Sequence, residues 1–287
     1  MKSSFLIILG GVLWGIIGLF VRHLTPLGFS AMQLVTLRSY VTVLGLVAIL
    51  FITNPKKLKI HWRDFPLFLG TGLLSFVFFN TCYFKAMEYT SLSVAAILLY
   101  TAPFFVLVMS AIFFHEKITK HKIFALLIAF FGCVLVSGVC NSQTALSPKG
   151  LLFGLGAGFG YALYSVFAAF ALKKYDTLTV ITYTFLVASA GATLLCNPAE
   201  MLVTLSQHTN SLWLLVLYGI ATGAAAYYCY TKGLEKTPPG RASVLATVEP
   251  VVAAICGIFL GEPLTVSGTV GMILVLFAVL YLQKQTK

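Results

Sequence analysis

Charged side chains are scarce in this sequence, and acidic ones are the scarcest. Only 9% of the residues are charged, and eight of the 287 are Asp or Glu. A soluble domain carries roughly 25% charged residues, so this chain lacks the polar side chains that a water-facing surface needs. With 59% hydrophobic residues and a mean hydropathy of +0.97, the composition excludes a soluble globular protein. It predicts an all-α integral membrane protein.

Long polar stretches are also missing, which leaves no room for a soluble domain. A membrane-spanning helix needs about 20 mostly apolar residues, and ten such stretches follow one another along the chain. Their approximate limits are 4–21, 30–53, 65–84, 91–114, 121–140, 149–171, 177–196, 212–231, 241–260 and 265–283. The first stretch is longer than the apolar core of a signal peptide and no cleavage site follows it, so we interpret it as the first membrane helix.

The residues of metal and nucleophilic sites do not form their usual patterns. No cysteine belongs to a CxxC pair, and each lies in or at the end of an apolar stretch, which predicts buried thiols and no disulfide framework. His115 and Glu116 begin like the HExxH zinc motif, but position 119 is Thr. No serine has a plausible buried base, and no pair of intramembrane aspartates occurs. The sequence therefore predicts no metal site, no cofactor and no enzymatic activity.

The basic residues are distributed as membrane topology requires. Of the 19 Lys and Arg residues, 15 fall in segments on the side of the N-terminus, three (Arg22, Lys85 and Lys149) fall on the other side, and Arg38 lies within a helix. By the positive-inside rule, both termini are expected in the cytoplasm of a multi-pass protein in a bacterial-type plasma membrane. The lipid bilayer is therefore an expected partner, and nucleic acid is not.

A weak internal duplication relates the two halves of the chain. After a shift of 147 residues, CYFKAMEYT at 82–90 aligns with CYTKGLEKT at 229–237, and Pro103 aligns with Pro250. Each half contains five apolar stretches, and because five is odd, the second half enters the membrane in the opposite direction. The duplication therefore predicts ten transmembrane helices arranged as two inverted five-helix repeats.

The polar stretch CNSQTALSPK divides these repeats. We predict a first repeat at 1–139, a linker at 140–149 and a second repeat at 150–287. In transporters, inverted repeats exchange outward-open and inward-open shapes around a substrate site near the midplane. We expect such a site between the two halves.

Three segments carry a resemblance to a known family. They are LWG at 13–15, YTAPFFVLVMSAIFFHEKIT at 100–119 and TVEPVVAAICGIFLGEPLT at 247–265. They resemble the EamA family of the drug/metabolite transporter superfamily over nearly the whole chain, so both predicted repeats are EamA-like. The resemblance implies a central cavity lined chiefly by helices 1, 3, 4, 6, 8 and 9, and export or exchange of small metabolites. Tyr161, where the family often has Trp, and EKIT, in place of a commoner Glu-Arg pair, depart from the family pattern.

Two prolines and one glutamate lie deep within apolar stretches. A proline frees a helix carbonyl about one turn earlier, and lipid tolerates a freed carbonyl only where it faces protein or a water-filled cavity. Kinks facing a cavity are therefore predicted at Pro103 and Pro250, with a simple packing kink as the alternative. Beside Pro250, Glu249 lies at a depth where a charge costs at least about 2.5–3.5 kcal/mol. Two roles are open for Glu249: an ion pair with Arg38 at similar depth, or binding of a substrate or a proton.

Polar and aromatic residues at the same depth are related by the repeat. Trp14 aligns with Tyr161, Asn80 with Tyr227, and Tyr100 with Thr247. We predict that these residues and Glu249 line a substrate-binding cavity for molecules with an apolar body and a few hydrogen-bonding groups. For each residue taken singly, helix packing is the alternative.

These observations favour a secondary active transporter that exports or exchanges a small-molecule substrate by alternating access. Since no ATP-binding motif occurs, the driving force must be a gradient or exchange. With a single Arg in the membrane, a neutral or zwitterionic metabolite such as an amino acid fits best. A channel-like facilitator is the alternative, and an intramembrane enzyme a weaker one. We expect a monomer or a homodimer.

Overall fold

The computed structural model describes residues 2–139, 147–261 and 265–284. These residues form helices and connecting turns, and no strand occurs among them. The long helical segments are α1 (Lys2–Leu27), α2 (Ala31–Thr53), α3 (Trp62–Tyr89), α4 (Leu92–Phe114), α5 (Lys120–Val136), α6 (Pro148–Ala171), α7 (Thr177–Leu195), α8 (Thr209–Leu234), α9 (Pro239–Phe259) and α10 (Val266–Lys284). A short helix, Pro198–Gln207, lies between α7 and α8.

The lengths of these segments match a bilayer. Over the described residues, nine of them, all except α5, are long and apolar enough to cross a membrane. Segment α5 is an apolar helix of 17 residues. Each of the ten predicted apolar stretches overlaps one segment, although position 140 and most of the predicted linker, 140–146, lie outside the described residues. The protein is therefore an all-helical, multi-spanning membrane protein, and a tenth crossing by α5 stays a prediction.

The start of α2 shows how local sequence sets a helix boundary. Ser30 Oγ accepts a hydrogen bond from the Gln33 backbone N–H at 3.2 Å, and Gln33 Oε1 accepts one from the Ser30 N–H at 2.9 Å. This reciprocal capping box satisfies two backbone donors that the first turn would otherwise leave unpaired. These two residues therefore fix the start of α2 at Ala31.

Segments α4 and α9 are interrupted at equivalent places. In α4, the helix Leu92–Leu99 ends at a turn and a second helix, Ala102–Phe114, begins with Pro103 in its first turn. In α9, a 3₁₀ turn at Ala246–Val248 precedes the helix Glu249–Phe259, which has Pro250 in its first turn. Because proline cannot donate the backbone hydrogen bond that would continue the preceding helix, each interruption lies about one turn before a proline.

Segments α3 and α8 also share an irregularity. Each contains a π-helical stretch, Gly70–Val77 in α3 and Gly219–Ala225 in α8. Such wide turns are rare and often mark functional sites. The stretch in α3 packs against α6 and α7, and the one in α8 packs against α2.

Small residues bring the segments together at close range. Segment α1 packs along α8, α3 along α6, α2 along α7, and α5 along α10. Between α5 and α10, a Cβ added to Gly132 would lie only 2.8 Å from the Gly271 carbonyl oxygen. Close backbone approach at glycine is a common basis of helix association in membranes, where the hydrophobic effect does not drive the contact.

Two glycines hold the interrupted helices in place. A Cβ at Gly11 of α1 would lie 2.8 Å from the Ala246 carbonyl oxygen in the interruption of α9. A Cβ at Gly158 of α6 would lie 2.8 Å from the Leu98 carbonyl oxygen, beside the interruption of α4. Segment α1 therefore packs directly against the break in α9, and α6 packs against the break in α4.

Substituting Gly158 by Ala is expected to lower thermal stability. The added methyl group overpacks a contact against backbone, which costs about 1–3 kcal/mol. Gly45→Ala in α2 is the matched control, because nothing lies within 4 Å of a Cβ there, and a helical Gly→Ala change gains roughly 0.5–1 kcal/mol. Thermal unfolding of both variants in detergent measures the difference; equal melting temperatures would contradict close packing at Gly158.

Candidate functional site

Two neighbouring cavities lie between the segments near mid-membrane. The first, which we name the aromatic cavity, is lined by Trp14, Ser75, Phe79, Tyr161, Tyr164, Ser165, Tyr227 and Tyr230. The second, the carboxylate cavity, is lined by Leu99, Tyr100, Ala102, Pro103, Tyr161, Ser243, Ala246, Thr247 and Glu249. Each is narrow and admits about one water molecule. Tyr161 of α6 belongs to both linings.

The aromatic cavity is built around Trp14. Its ring lies edge-on to Tyr227 with centroids 5.1 Å apart and edge-on to Tyr161 at 6.0 Å. Tyr230 lies 5.1 Å away in a tilted arrangement. Edge-to-face pairs at these distances are favourable beyond the area that they bury. Because Trp14 is only 6% exposed, it serves as the central wall of the cavity and not as an interfacial anchor.

Hydrogen bonds tie α6 to α8 on one side of the aromatic cavity. The Tyr164 hydroxyl lies 2.6 Å from Thr231 Oγ1, and the Ser165 hydroxyl lies 2.7 Å from the Tyr230 hydroxyl. All four side chains are buried. Since each hydroxyl finds a partner in the opposite segment, these bonds fix the distance between α6 and α8.

The carboxylate cavity lies where the two interrupted helices meet. Glu249 begins the second helix of α9, ten residues before Phe259, which places it roughly 15 Å from that end of the segment. Its Oε2 accepts a hydrogen bond from the Tyr161 hydroxyl at 3.4 Å, a long and therefore weak contact. In the described part of the chain, no other hydrogen bond to this carboxylate occurs. The carboxylate therefore faces a polar space with one weak partner.

The structure brings together most of the residues predicted from the sequence. The aromatic cavity is lined by Trp14, Tyr161 and Tyr227. The carboxylate cavity is lined by Tyr100, Tyr161, Thr247 and Glu249. Pro103 also lines the carboxylate cavity, and Pro250 follows Glu249 directly. A substrate-binding role for this set stays a prediction.

Asn80 is placed differently from its repeat partner Tyr227. It is buried in α3, but its Nδ2 donates to the Phe76 carbonyl oxygen one turn earlier at 2.7 Å, and it lines neither cavity. This bond keeps the amide on its own helix. In this conformation the Asn80 amide therefore bonds within α3 and faces neither cavity.

Arg38 does not pair with Glu249 in this conformation. The guanidinium carbon lies 5.0 Å from the centre of the Phe76 ring and 5.6 Å from the Tyr218 ring. Arg38 is 4% exposed, and its Nε has no hydrogen-bond partner among the described residues. Cation–π contacts of this kind contribute about 2 kcal/mol when desolvated. An Arg38–Glu249 ion pair in another conformation stays a prediction.

Several lining residues were not predicted from the sequence. Tyr230 lies one turn after Tyr227 in α8, a spacing that places both on one helix face and could have revealed it. Tyr164 likewise follows Tyr161 in α6. Ser243 and Leu99 give no sequence signal, because they line the cavity only through the interruptions of α9 and α4. The described residues contain no cluster of side chains able to hold a metal ion.

Comparison with known proteins gives a consistent assignment. The family model for the EamA-like transporter family matches residues 1–138 and 148–283. An uncharacterized transporter of Archaeoglobus fulgidus is 28% identical over 97% of this chain and 98% of its own length. The uncharacterized transporter YxxF of Bacillus subtilis is 26% identical, covering 92% of this chain and 84% of its own. A solved crystal structure superposes with a TM-score of 0.78 at 18% identity, over 99% of this chain and 96% of that chain, which shows the fold.

Trp14 is expected to report on the aromatic cavity. The other two tryptophans, Trp62 and Trp213, are 79% and 66% exposed. Replacing both by Phe should leave an emission maximum at shorter wavelength than that of the wild type, because only the buried indole remains. Quenching by aqueous iodide should also fall. Wild-type quenching in the Trp62→Phe/Trp213→Phe variant would show that Trp14 is open to water.

Proposed function

Because the chain belongs to the EamA-like transporter family, we propose that it is a secondary active transporter. It moves a small metabolite across the plasma membrane by alternating access, in export or exchange. The observation that carries this proposal is the pair of mid-membrane cavities enclosed by α1, α3, α4, α6, α8 and α9, with one carboxylate among aromatic walls. No ATP-binding motif occurs in the sequence, so a gradient or exchange supplies the energy.

For this mechanism, we propose that the chain crosses the membrane ten times, in two inverted repeats. The family match in two stretches supports this division. So do contacts that recur at equivalent positions: Gly11 against the break in α9, and Gly158 against the break in α4. The two π-helical stretches in α3 and α8 recur in the same way. Inverted repeats supply two related shapes, one open to each side of the membrane.

One side of the membrane carries most of the lysines; we name it the basic side. It holds the connections between α2 and α3, α4 and α5, α6 and α7, and α8 and α9. By the positive-inside rule it is the cytoplasmic side, and both termini lie there.

Contacts on the basic side support a closed gate there. The second helix of α4, Ala102–Phe114, packs against the first helix of α9, Pro239–Leu245. Glu116, just after α4, accepts hydrogen bonds from the Gly240 backbone N–H at 3.0 Å and from Lys122 Nζ at 2.8 Å. On the opposite side, the corresponding helices Leu92–Leu99 and Glu249–Phe259 do not pack against each other comparably. An access state that is closed on the basic side requires such an asymmetry between the two sides.

A second contact on the basic side joins α7 to the end of α8. Thr177 Oγ1 donates to Glu235 Oε1 at 2.6 Å, and Lys232 Nζ donates to the same oxygen at 2.9 Å. Burial alone would raise the pKa of Glu235, but these hydrogen bonds outweigh it and hold the pKa below its usual value. Glu235 therefore stays ionised at neutral pH and keeps this contact.

Weakening the α6–α8 hydrogen bonds should open the basic side. The labelling site is Ser243→Cys in a cysteine-free background. Ser243 lines the carboxylate cavity, behind the proposed gate. Ser165→Ala with Tyr230→Phe removes one buried hydrogen bond, worth about 1 kcal/mol, which shifts a two-state equilibrium about fivefold. Labelling of the cysteine by an impermeant maleimide from the basic side should rise accordingly.

Lys56→Cys in the exposed α2–α3 connection is the control for this labelling, since it should react equally in both backgrounds. Equal labelling of Ser243→Cys in both backgrounds would contradict a role of the α6–α8 hydrogen bonds in keeping the basic side closed.

Transport itself is tested in proteoliposomes. A thermal-shift screen of a metabolite panel supplies the solute, and counterflow of the labelled solute against an internal unlabelled pool is expected, because alternating access couples the two directions. Glu249→Gln should reduce flux at least about tenfold, since a charge-assisted contact contributes roughly 1.5–3 kcal/mol. Glu88→Gln, an exposed carboxylate paired with Lys85, is the matched control.

Simple equilibration without counterflow would indicate a channel-like facilitator. Arg38→Ala addresses the other role of Glu249. If the two residues pair in the second access state, Arg38→Ala should be as damaging as Glu249→Gln, and the double variant no worse than either.

A further inference from the structure

We propose that the site selects a protonated organic amine. The ammonium group binds in the carboxylate cavity beside Glu249, and the apolar or aromatic body of the molecule extends into the aromatic cavity. Both cavities, which admit about one water molecule each in this conformation, widen to hold it. This inference rests on the proposed transport function and assigns its substrate class.

The charge of the lining favours a cation. Among the described residues that line either cavity, Glu249 is the only charged one. No Lys, Arg or His of the described chain forms an ion pair with it, and its Oε1 has no hydrogen-bond partner there. A carboxylate withdrawn from water requires a compensating positive charge or good donors. A bound ammonium group supplies both.

The threonine and serine hydroxyl groups that line the carboxylate cavity are arranged as acceptors. Thr247 Oγ1 donates its hydrogen to the Val244 carbonyl oxygen at 2.6 Å, and Ser243 Oγ donates to the Gly240 carbonyl oxygen at 3.0 Å. Each hydroxyl therefore has only lone pairs to offer to a molecule in the cavity. An ammonium group carries three donors and no acceptor, so it matches this lining, whereas a ligand carboxylate does not.

The interruption of α4 adds another acceptor. Leu99 lines the carboxylate cavity, and its carbonyl oxygen lies four residues before Pro103, which has no N–H to donate to it. The break thus leaves a helix carbonyl available close to the carboxylate. A partial negative charge at this place adds to the preference for a cation.

The aromatic cavity is suited to the apolar part of the molecule. The hydroxyls of Tyr164, Ser165 and Tyr230 are already bonded between α6 and α8. Trp14 is surrounded by three tyrosine rings. Ring faces also attract cations. Since Tyr161 lines both cavities, a molecule that extends from one into the other passes along its ring.

A zwitterion is less well matched than an amine. A ligand carboxylate would need a cation in the lining. Arg38, the cation considered from the sequence as a partner of Glu249, lies against Phe76 and Tyr218 and lines neither cavity. The described lining therefore offers a charged partner to an ammonium group and no cation to a carboxylate. This separates an amine from the amino acid expected from the sequence.

The test is a binding measurement on the purified full-length protein in detergent. Three probes share one phenylethyl body: 2-phenylethylamine is a cation, 2-phenylethanol is its neutral counterpart, and phenylalanine is a zwitterion. Binding is followed by Trp14 emission in the Trp62→Phe/Trp213→Phe variant and by thermal shift in the wild type. We expect saturable binding of the amine at least about tenfold tighter than of the alcohol or the amino acid.

Variants then assign the effect to the carboxylate. Glu249→Gln should weaken amine binding at least about tenfold and leave the alcohol unchanged, whereas Glu88→Gln should change neither. If Glu249→Gln does not fold, the comparison of the three probes on wild-type protein still tests the preference for an amine. Equal binding of amine and alcohol, or tighter binding of phenylalanine, would overturn the inference.

Failure of this inference and failure of the proposed function are distinguishable. Saturable amine binding without flux or counterflow in proteoliposomes would leave the amine site in place and contradict transport. Counterflow of another solute, with no amine binding, would leave the transporter in place and contradict the amine site.

Discussion

The structure depends on one constraint: within lipid, every backbone hydrogen-bonding group needs a partner inside the protein or in a water-filled space. Pro103 and Pro250 each remove one donor, so α4 and α9 break about a turn earlier. Neither break can face lipid. Segments α1 and α6 cover them, and the glycines at 11 and 158 allow an approach close enough to do so. The interior cavities follow from this arrangement, because covered breaks do not pack as tightly as continuous helices.

Within that interior, the two halves are alike in backbone and unlike in chemistry. Glu249 opens the second helix of α9, whereas the equivalent position in α4 is Ala102. Cross-segment hydrogen bonds join α6 to α8, while the equivalent positions in α1 and α3 include apolar side chains such as Ile17 and Phe84. The recurring breaks and π-helical stretches therefore carry one acidic centre on α9 and one set of hydrogen bonds between α6 and α8.

The helices could be predicted from the sequence because each is a long apolar run, and run length is a strong signal for a bilayer-spanning segment. The breaks were also predictable, since proline acts locally on the backbone. The depth of Glu249 and Arg38 followed from helical rise, but their orientation around the helix axis did not. The π-helical stretches in α3 and α8 change the angular position of every residue after them, which a regular period cannot anticipate. Asn80 illustrates this: its predicted depth was mid-membrane, but its amide returns to the Phe76 carbonyl. Ser243 and Leu99 were missed for the converse reason, because tertiary contact and not sequence pattern brings them to the carboxylate cavity.

Tyr161 separates the two cavities and is part of both walls. Its ring is held edge-on by Trp14 at 6.0 Å and by Phe79 at 5.4 Å, and its hydroxyl reaches Glu249. One side-chain rotation would therefore join the two spaces and release the carboxylate in the same movement. The boundary between the two cavities and the contact to the carboxylate therefore depend on the same side chain. In the proposed substrate site, the length and the charge of the bound molecule would be read together.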